Sequence, residues 1–399
     1  MDIPLKTYRL HFEALTHCLL EHQALWRCQP FVQIPDWVSK NPSLTASVAQ
    51  LDTETVRAAQ SSDALLLDCL APILPEQCKE IKSLCELPQF PAPSAEANPI
   101  SHIPGRKWQQ ITHFTAAIQH CENTLLEWCA GKAHLGRWLS QHYGCTVIAL
   151  ECDNALIESA ASLSPPVQFE QCDVLGLRTL SFLKASQHAL ALHACGGLHR
   201  KLLNDASACG LERITWSPCC YHKYLDSEYQ PLSSAGAAAE LELRTAELRT
   251  AVRQNTTAGR AERLRHEKLQ AWRLGFNRLI QDTSGDTDYL AITAIPADII
   301  RGDFPNFCAY VAELKNITLP KNITSSKYEK LGVERYSEVS RQELVRELFR
   351  RPLELWIVLD EMLFLEERGY RCELGIFCDA QITPRNLLID AKRTGFPEQ

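Results

Sequence analysis

No two of the 17 cysteines are spaced as Cys-x-x-Cys, so a zinc ribbon has no support. There is also no run of 18 apolar residues, which excludes a membrane-spanning helix. The first twenty residues carry charges and His among their apolar positions and lack the apolar centre of a secretory leader. Neither sign of charge dominates. The net charge is −7, so any nucleic-acid site must be a local patch and not a global attraction. The cysteine count is odd, and Cys69, Cys129, Cys145 and Cys195 sit in apolar periodic segments. Buried thiols in a reduced, cytoplasmic protein are therefore expected. At 399 residues, 45% hydrophobic and 22% charged, the chain has room for two or three ordinary globular domains.

The most informative stretch is Thr124-Leu-Leu-Glu-Trp-Cys-Ala-Gly-Lys-Ala-His-Leu-Gly136. A short apolar run ends in an acid, a small-residue turn follows, and a helix-like segment begins at Leu135. This is the strand, turn and helix that open a nucleotide-binding α/β unit. Small residues admit a ligand close to the backbone, and the free N–H groups of the following helix favour a carboxylate or phosphate. The turn lacks the Gly-x-Gly-x-x-Gly of a dinucleotide site. Its acid, Glu127, suits S-adenosylmethionine, whose methionyl ammonium needs an acceptor.

The spacing of apolar residues predicts short helices over 1–88, cut by prolines at 30, 35, 42, 72 and 75. Up to residue 100 there are seven Lys/Arg against twelve Asp/Glu. The Pro-rich segment 89–104 reads as a linker. From 105 the pattern alternates. A helix over 107–121 precedes predicted strands at 124–128, 146–150, 167–171, 189–193 and 213–217, which implies a parallel sheet with helices on both faces. The segment 226–340 breaks the alternation. Its long helical stretch, 237–276, is rich in Arg, with a break at 255–259. Between 244 and 278 nine Lys/Arg face three Glu, a local excess of six positive charges. The alternation resumes over 341–394 with a helix at 341–368 and strands at 370–378 and 386–392, joined by so short a connection that they must pair antiparallel. The domain reading is a helical N-terminal domain (1–88), a linker (89–104), a first core part (105–225), an insertion (226–340) and a last core part (341–394).

Four segments carry a family resemblance: Cys129-Ala-Gly-Lys-Ala-His-Leu-Gly136, Leu192-His-Ala-Cys-Gly-Gly197, Ser217-Pro-Cys-Cys-Tyr-His-Lys223 and Thr383-Pro-Arg-Asn-Leu-Leu388. With Gly105-Arg-Lys-Trp108 they make the chain resemble the class I S-adenosylmethionine-dependent methyltransferases. Within these it is similar to the group containing the human methyltransferase-like proteins and the glutathione S-transferase C-terminal domain-containing protein. The resemblance implies an α/β fold with a seven-stranded, Rossmann-like sheet. One departure is Ala133, where family members usually have Gly. A related branch, similar in the Cys-Cys-x-His element, methylates a tRNA ribose hydroxyl, so the resemblance implies RNA (tRNA or rRNA) as acceptor; the alternatives are a protein or small-molecule methyltransferase, or a non-catalytic binding module that keeps the cofactor fold.

For the cofactor, Glu127 is expected to meet the methionyl ammonium and the loop Cys129, Ala130, Gly131, Lys132, Ala133 and His134 to cradle the carboxylate end. Glu151, at the end of the second strand, is expected to accept from the ribose hydroxyls. Cys152 or Asp153 would flank the adenine, and Asp173 would accept from its amino group. In-line methyl transfer mainly demands alignment, with a general base where the acceptor is protonated. The candidate catalytic residues are His193, Cys195, Cys219, Cys220, Tyr221 and His222, which follow the fourth and fifth strands. Three mechanisms fit them: His222 as base, Tyr221 stacking on a nucleobase, or Cys219 or Cys220 attacking C6 of a pyrimidine. A metal held by His193, Cys195, Cys219 and His222 lacks supporting ligand spacing, and none is expected. Arg253, Arg260, Arg263 and Lys223 are the candidate RNA contacts, with Trp216, Trp272 and Phe276 as stacking partners.

Overall fold

The apolar runs at 124–128 and 187–192 form central strands because both of their faces are covered. The computed structural model describes residues 6–93, 103–118, 124–225, 228–253, 259–320 and 324–394. Seven strands form one sheet: β1 (Thr124–Trp128), β2 (Val147–Glu151), β3 (Gln168–Gln171), β4 (Gln187–Cys195), β5 (Arg213–Cys219), β6 (Tyr370–Ile376) and β7 (Leu387–Arg393). Their order is β3-β2-β1-β4-β5-β7-β6. The pairs among β1 to β5 are parallel, and β7 pairs antiparallel with both β5 and β6. The expected seven-stranded α/β fold is thus observed. The winding reverses at β1, whose neighbours are β2 and β4, and that switch point opens a crevice at the carboxyl ends of the strands.

The helix Gly105–Ile118 covers one face. Trp108, Ile111, Phe114 and Ile118 recur at helical spacing and pack with Leu125, Val147, Leu190 and Leu388. The expected Cys121 end of this helix lies outside the described residues. The helix Arg350–Glu366 is buried almost all round, so its acids need internal partners. Asp360 accepts from Tyr229 Oη, Leu232 N, Ser233 N and Ser233 Oγ.

The chain forms two compact units, one within 1–21, 80–253 and 350–399, the other within 22–79 and 254–349. Three expectations change. The N-terminal helical region does not stand alone: Lys6–Glu21 packs on Arg350–Glu366 in the first unit, with Phe12 against Trp356. The departure from the sheet unit begins at 254 and not at 226, because the Asp360 cluster anchors 229–233. The predicted helix 341–368 is broken: one helix ends at Glu347 and the next begins at Arg350. Pro352 has no N–H to donate to Leu348, so it fits only in a first turn. The start of the expected linker is also ordered, since Phe90 N donates to Ile376 O and Ile376 N to Pro88 O along β6.

In the second unit the helices Arg260–Ser284 and Ser325–Glu347 pack together, with Trp272, Phe276, Phe304 and Phe307 in a shared core. Arg57 forks onto both oxygens of Glu267, tying the helix Thr53–Ser61 to Arg260–Ser284. The predicted helix 237–276 is divided into Thr245–Ala251 and Arg260–Ser284, and 239–244 is not helical. Most of the expected break lies outside the described residues. Among the described residues no helix is long and apolar enough to cross a membrane.

Candidate active site

Parallel strands bring their carboxyl ends to one edge, so Glu127, Glu151, Asp173, His193, Cys195 and the segment 219–223 share that edge. The loop after β1 alternates left-handed residues, with φ of 55° at Cys129, 58° at Gly131 and 52° at Ala133. Alternation of this kind turns successive N–H groups toward one concave side. The helix His134–Tyr143 follows, and the N–H groups of its first turn have no intrahelical acceptor. Two carboxylates brace this loop. Glu127 Oε2 accepts from Gly136 N at 2.9 Å. Glu151 Oε2 accepts from Gly131 N at 2.8 Å, and its Oε1 from Cys152 N and Asp153 N at 2.9 and 3.0 Å. Gly136 has to be glycine here, because a Cβ would stand 2.5 Å from Glu127 Oε2.

Burial pushes the Glu127 carboxyl up to about 7, against the lowering pull of the Gly136 N–H and of Lys107. Lys107 escaped the sequence reading. Its ammonium has no hydrogen-bond partner among the described residues, and burial lowers its pKa while Glu127 opposes that shift. The signal was present in Gly105-Arg-Lys-Trp108, one helix upstream of the acid. His134 is half-buried and its imidazole is pushed down, first by burial and then by Lys107. Lys132 is exposed and Ala130 N donates to Leu150 O. Cys152 is exposed beside Glu151. Asp153 caps the helix Asn154–Ala160. Asp173 is exposed and accepts from Leu175 N at 3.0 Å.

The β4–β5 register shifts between Leu192 and Cys195, and His193 there has φ of 67°. Irregularities of this kind re-aim side chains next to functional sites. His193 Nε2 lies 3.2 Å from Gln110 Oε1, and the Gln110 amide nitrogen donates to Ile382 O. The amide oxygen therefore accepts from Nε2–H, which leaves Nδ1 as the accepting nitrogen. Burial, then Lys107, push His193 down to about 4, so its imidazole is neutral at pH 7. Gln110 gave no sequence signal, because it is one buried polar residue on an otherwise apolar helix face.

Cys195, Cys219 and Cys220 lie together, all three sulfurs within 4.8 Å of one another. Cys195 and Cys219 sulfurs are 3.5 Å apart, and Cys219 donates to His193 O at 3.3 Å. Hydrogen bonds from the Cys195 and Cys219 thiols, aided by Lys223 and His222, lower the pKa of Cys220. The same hydrogen bonds and burial raise that of Cys219. Burial lowers His222, whose Nδ1 has no hydrogen-bond partner among the described residues.

Tyr221 corrects an expectation. It is 2% exposed and its hydroxyl donates to Glu354 Oε1, so it offers no face to a nucleobase. Trp216, Trp272 and Phe276 are likewise in cores, at 0%, 3% and 0% exposure. Arg385 of the tail motif donates to Ala251 O and Glu354, a bracing role. Arg260, Arg263, Arg253 and Lys223 are exposed.

Residues 106–227 match a family described as a methyltransferase domain. That segment is similar to a methyltransferase domain. The match runs from the helix before β1 to just beyond the Cys219–Lys223 segment and so contains every site residue above except Arg253, Arg260 and Arg263. No curated protein matches the chain.

Proposed function

We propose that the methyltransferase domain takes S-adenosylmethionine and acts on RNA. The observation that carries the cofactor reading is the braced, left-handed loop 129–134 with a buried acid, Glu127, beneath the first turn of the following helix. The fit is chemical. An aminocarboxylate group needs an anion acceptor for its ammonium and N–H donors for its carboxylate, and this loop supplies both within one turn. When bound, the cofactor supplies a methyl group on an already activated sulfonium.

The chain's own residues then align and deprotonate. Glu127 holds the ammonium, and the N–H groups of Lys132, His134 and Leu135 hold the carboxylate, the Ala133 N–H being spent on Ala130 O. Glu151 takes the ribose hydroxyls while sharing its oxygens with three backbone N–H groups. Cys152 and Asp173 border the adenine. His193, fixed by Gln110 with Nδ1 as acceptor, orients the methyl acceptor at the end of β4 and, as a weak base, takes its proton only once methyl transfer has made that proton acidic. Leu150, fully buried, anchors the loop from behind by accepting from Ala130 N.

The exposed arginines in the first turns of the helix Arg260–Ser284 support a polyanionic acceptor; Lys223, exposed after β5, separately places a positive charge at the carboxyl edge of the sheet. The test is transfer of a labelled methyl group from S-adenosylmethionine into RNA or protein fractions. Label in RNA that falls steeply with salt supports the reading. Label in protein alone overturns the RNA assignment and leaves the cofactor assignment standing.

A further inference from the structure

The sulfur cluster at the end of β4 and β5 has the chemistry of a metal site. We propose that the thiolates of Cys195, Cys219 and Cys220 hold a zinc ion there, and that the imidazole of His222, which lies outside the convergent set, turns in as the fourth ligand. The three sulfurs already converge within 4.8 Å. Sulfurs on a tetrahedral zinc, each about 2.3 Å from the metal, stand about 3.8 Å apart, so small rotations of these side chains suffice. Thiolate and imidazole ligands select zinc over hard divalent cations.

Two independent features belong to a site and not to chance packing. The first is the backbone. His193 has φ of 67°, Gly196 46° and Cys220 46°, so residues flanking the cluster on both strands occupy a sparsely populated region. Gly196 admits this fold because a Cβ there would collide with the carbonyls of Lys223 and Cys220. The second is His222. Among the described residues its Nδ1 has no hydrogen-bond partner, so a ring rotation toward the sulfurs breaks no hydrogen bond there. It lies in electrostatic range of Cys220.

Ligands at 219, 220 and 222 with one at 195 do not follow a zinc-finger spacing. Ligand spacing therefore gave the site no support in sequence: the parallel pairing of β4 with β5 brings in Cys195 from 24 residues upstream of Cys219. On binding, each thiol still protonated releases its proton to solvent, and the metal replaces the shared S–H hydrogen bonds. The ion would lock the β4 and β5 loops together at the acceptor side of the cleft.

The experiment is titration of reduced, chelator-stripped full-length protein with cobalt(II), then zinc. The expected result is one equivalent of cobalt giving sulfur-to-cobalt charge-transfer absorption and tetrahedral d–d bands, both bleached by zinc. Cys220→Ser, checked for native circular dichroism, should weaken cobalt binding at least tenfold. His222→Ala should keep the charge-transfer band and alter the d–d bands. Cys69→Ser, in the helix Asp63–Leu70 and outside the sulfur cluster, should leave the titration unchanged. Absence of charge-transfer absorption at stoichiometric cobalt in the folded wild type overturns the proposal, as does an unaltered titration in folded Cys220→Ser. The readout needs no methyl transfer: a cobalt spectrum without S-adenosylmethionine binding would sink the functional reading and keep the metal site.

Discussion

Glu127 concentrates the residue-scale argument. A carboxylate buried to 5% exposure is tolerable only with a partner, and in the protein alone one backbone N–H and a neighbouring Lys107 offset little of the burial. The pKa of about 7 records that deficit. For folding the sign is clear: the folded value lies above the ordinary 4.5, so the folded state holds a proton that the unfolded state has lost. Glu127 thus lowers the stability of the unliganded protein as pH rises from about 4.5 to 7. Ligand binding has the opposite sense, because an ammonium pairs with the ionised acid. S-adenosylhomocysteine affinity, followed by calorimetry across pH 5.5 to 8.5, should therefore weaken as pH falls below about 7. Gly136→Ala places a methyl group on the Glu127 carboxylate. It should lower cofactor affinity at least tenfold and destabilise by about 1–3 kcal/mol, read by calorimetry and by urea denaturation.

The helix Arg350–Glu366 is the element on which the first unit turns. Asp360 accepts four hydrogen bonds from the segment 229–233. Asp360→Ala leaves those donors without an acceptor in a dry interior, and each stranded group costs about 1–3 kcal/mol. Denaturant melts should show a loss of more than about 3 kcal/mol. The helix Arg260–Ser284 divides along its length: its first turns are exposed and basic, and its later turns are core. Replacing Arg253, Arg260 and Arg263 together with Ala should reduce the slope of log affinity for RNA against log salt by about 2. S-adenosylhomocysteine binding should not change. An unchanged slope removes these arginines from the interface.

At the scale of the whole chain, the sheet was legible because period and punctuation agree there. The start of β1, of β5 and of β6 falls at the residues predicted, and small-residue turns follow the strands at the carboxyl edge. Contributions from distant sequence were not legible. Nothing local tells that Asp360 recruits 229–233 or that the helices of 22–79 share a unit with 254–349. The Arg-rich stretch misled in part, since amphipathic period alone does not say which aromatic residues face a core, and Trp272 and Phe276 do. Tyr221 misled for the same reason, as its neighbours Cys220 and His222 are polar while it points inward to Glu354. The account rests on cofactor capture at the end of β1, and calorimetry of S-adenosylmethionine with the wild type and Glu127→Gln at pH 8 tests it most directly. The prediction is binding by the wild type and affinity at least tenfold weaker in the variant. No binding by the wild type at millimolar ligand, or equal affinity in both proteins, would contradict it.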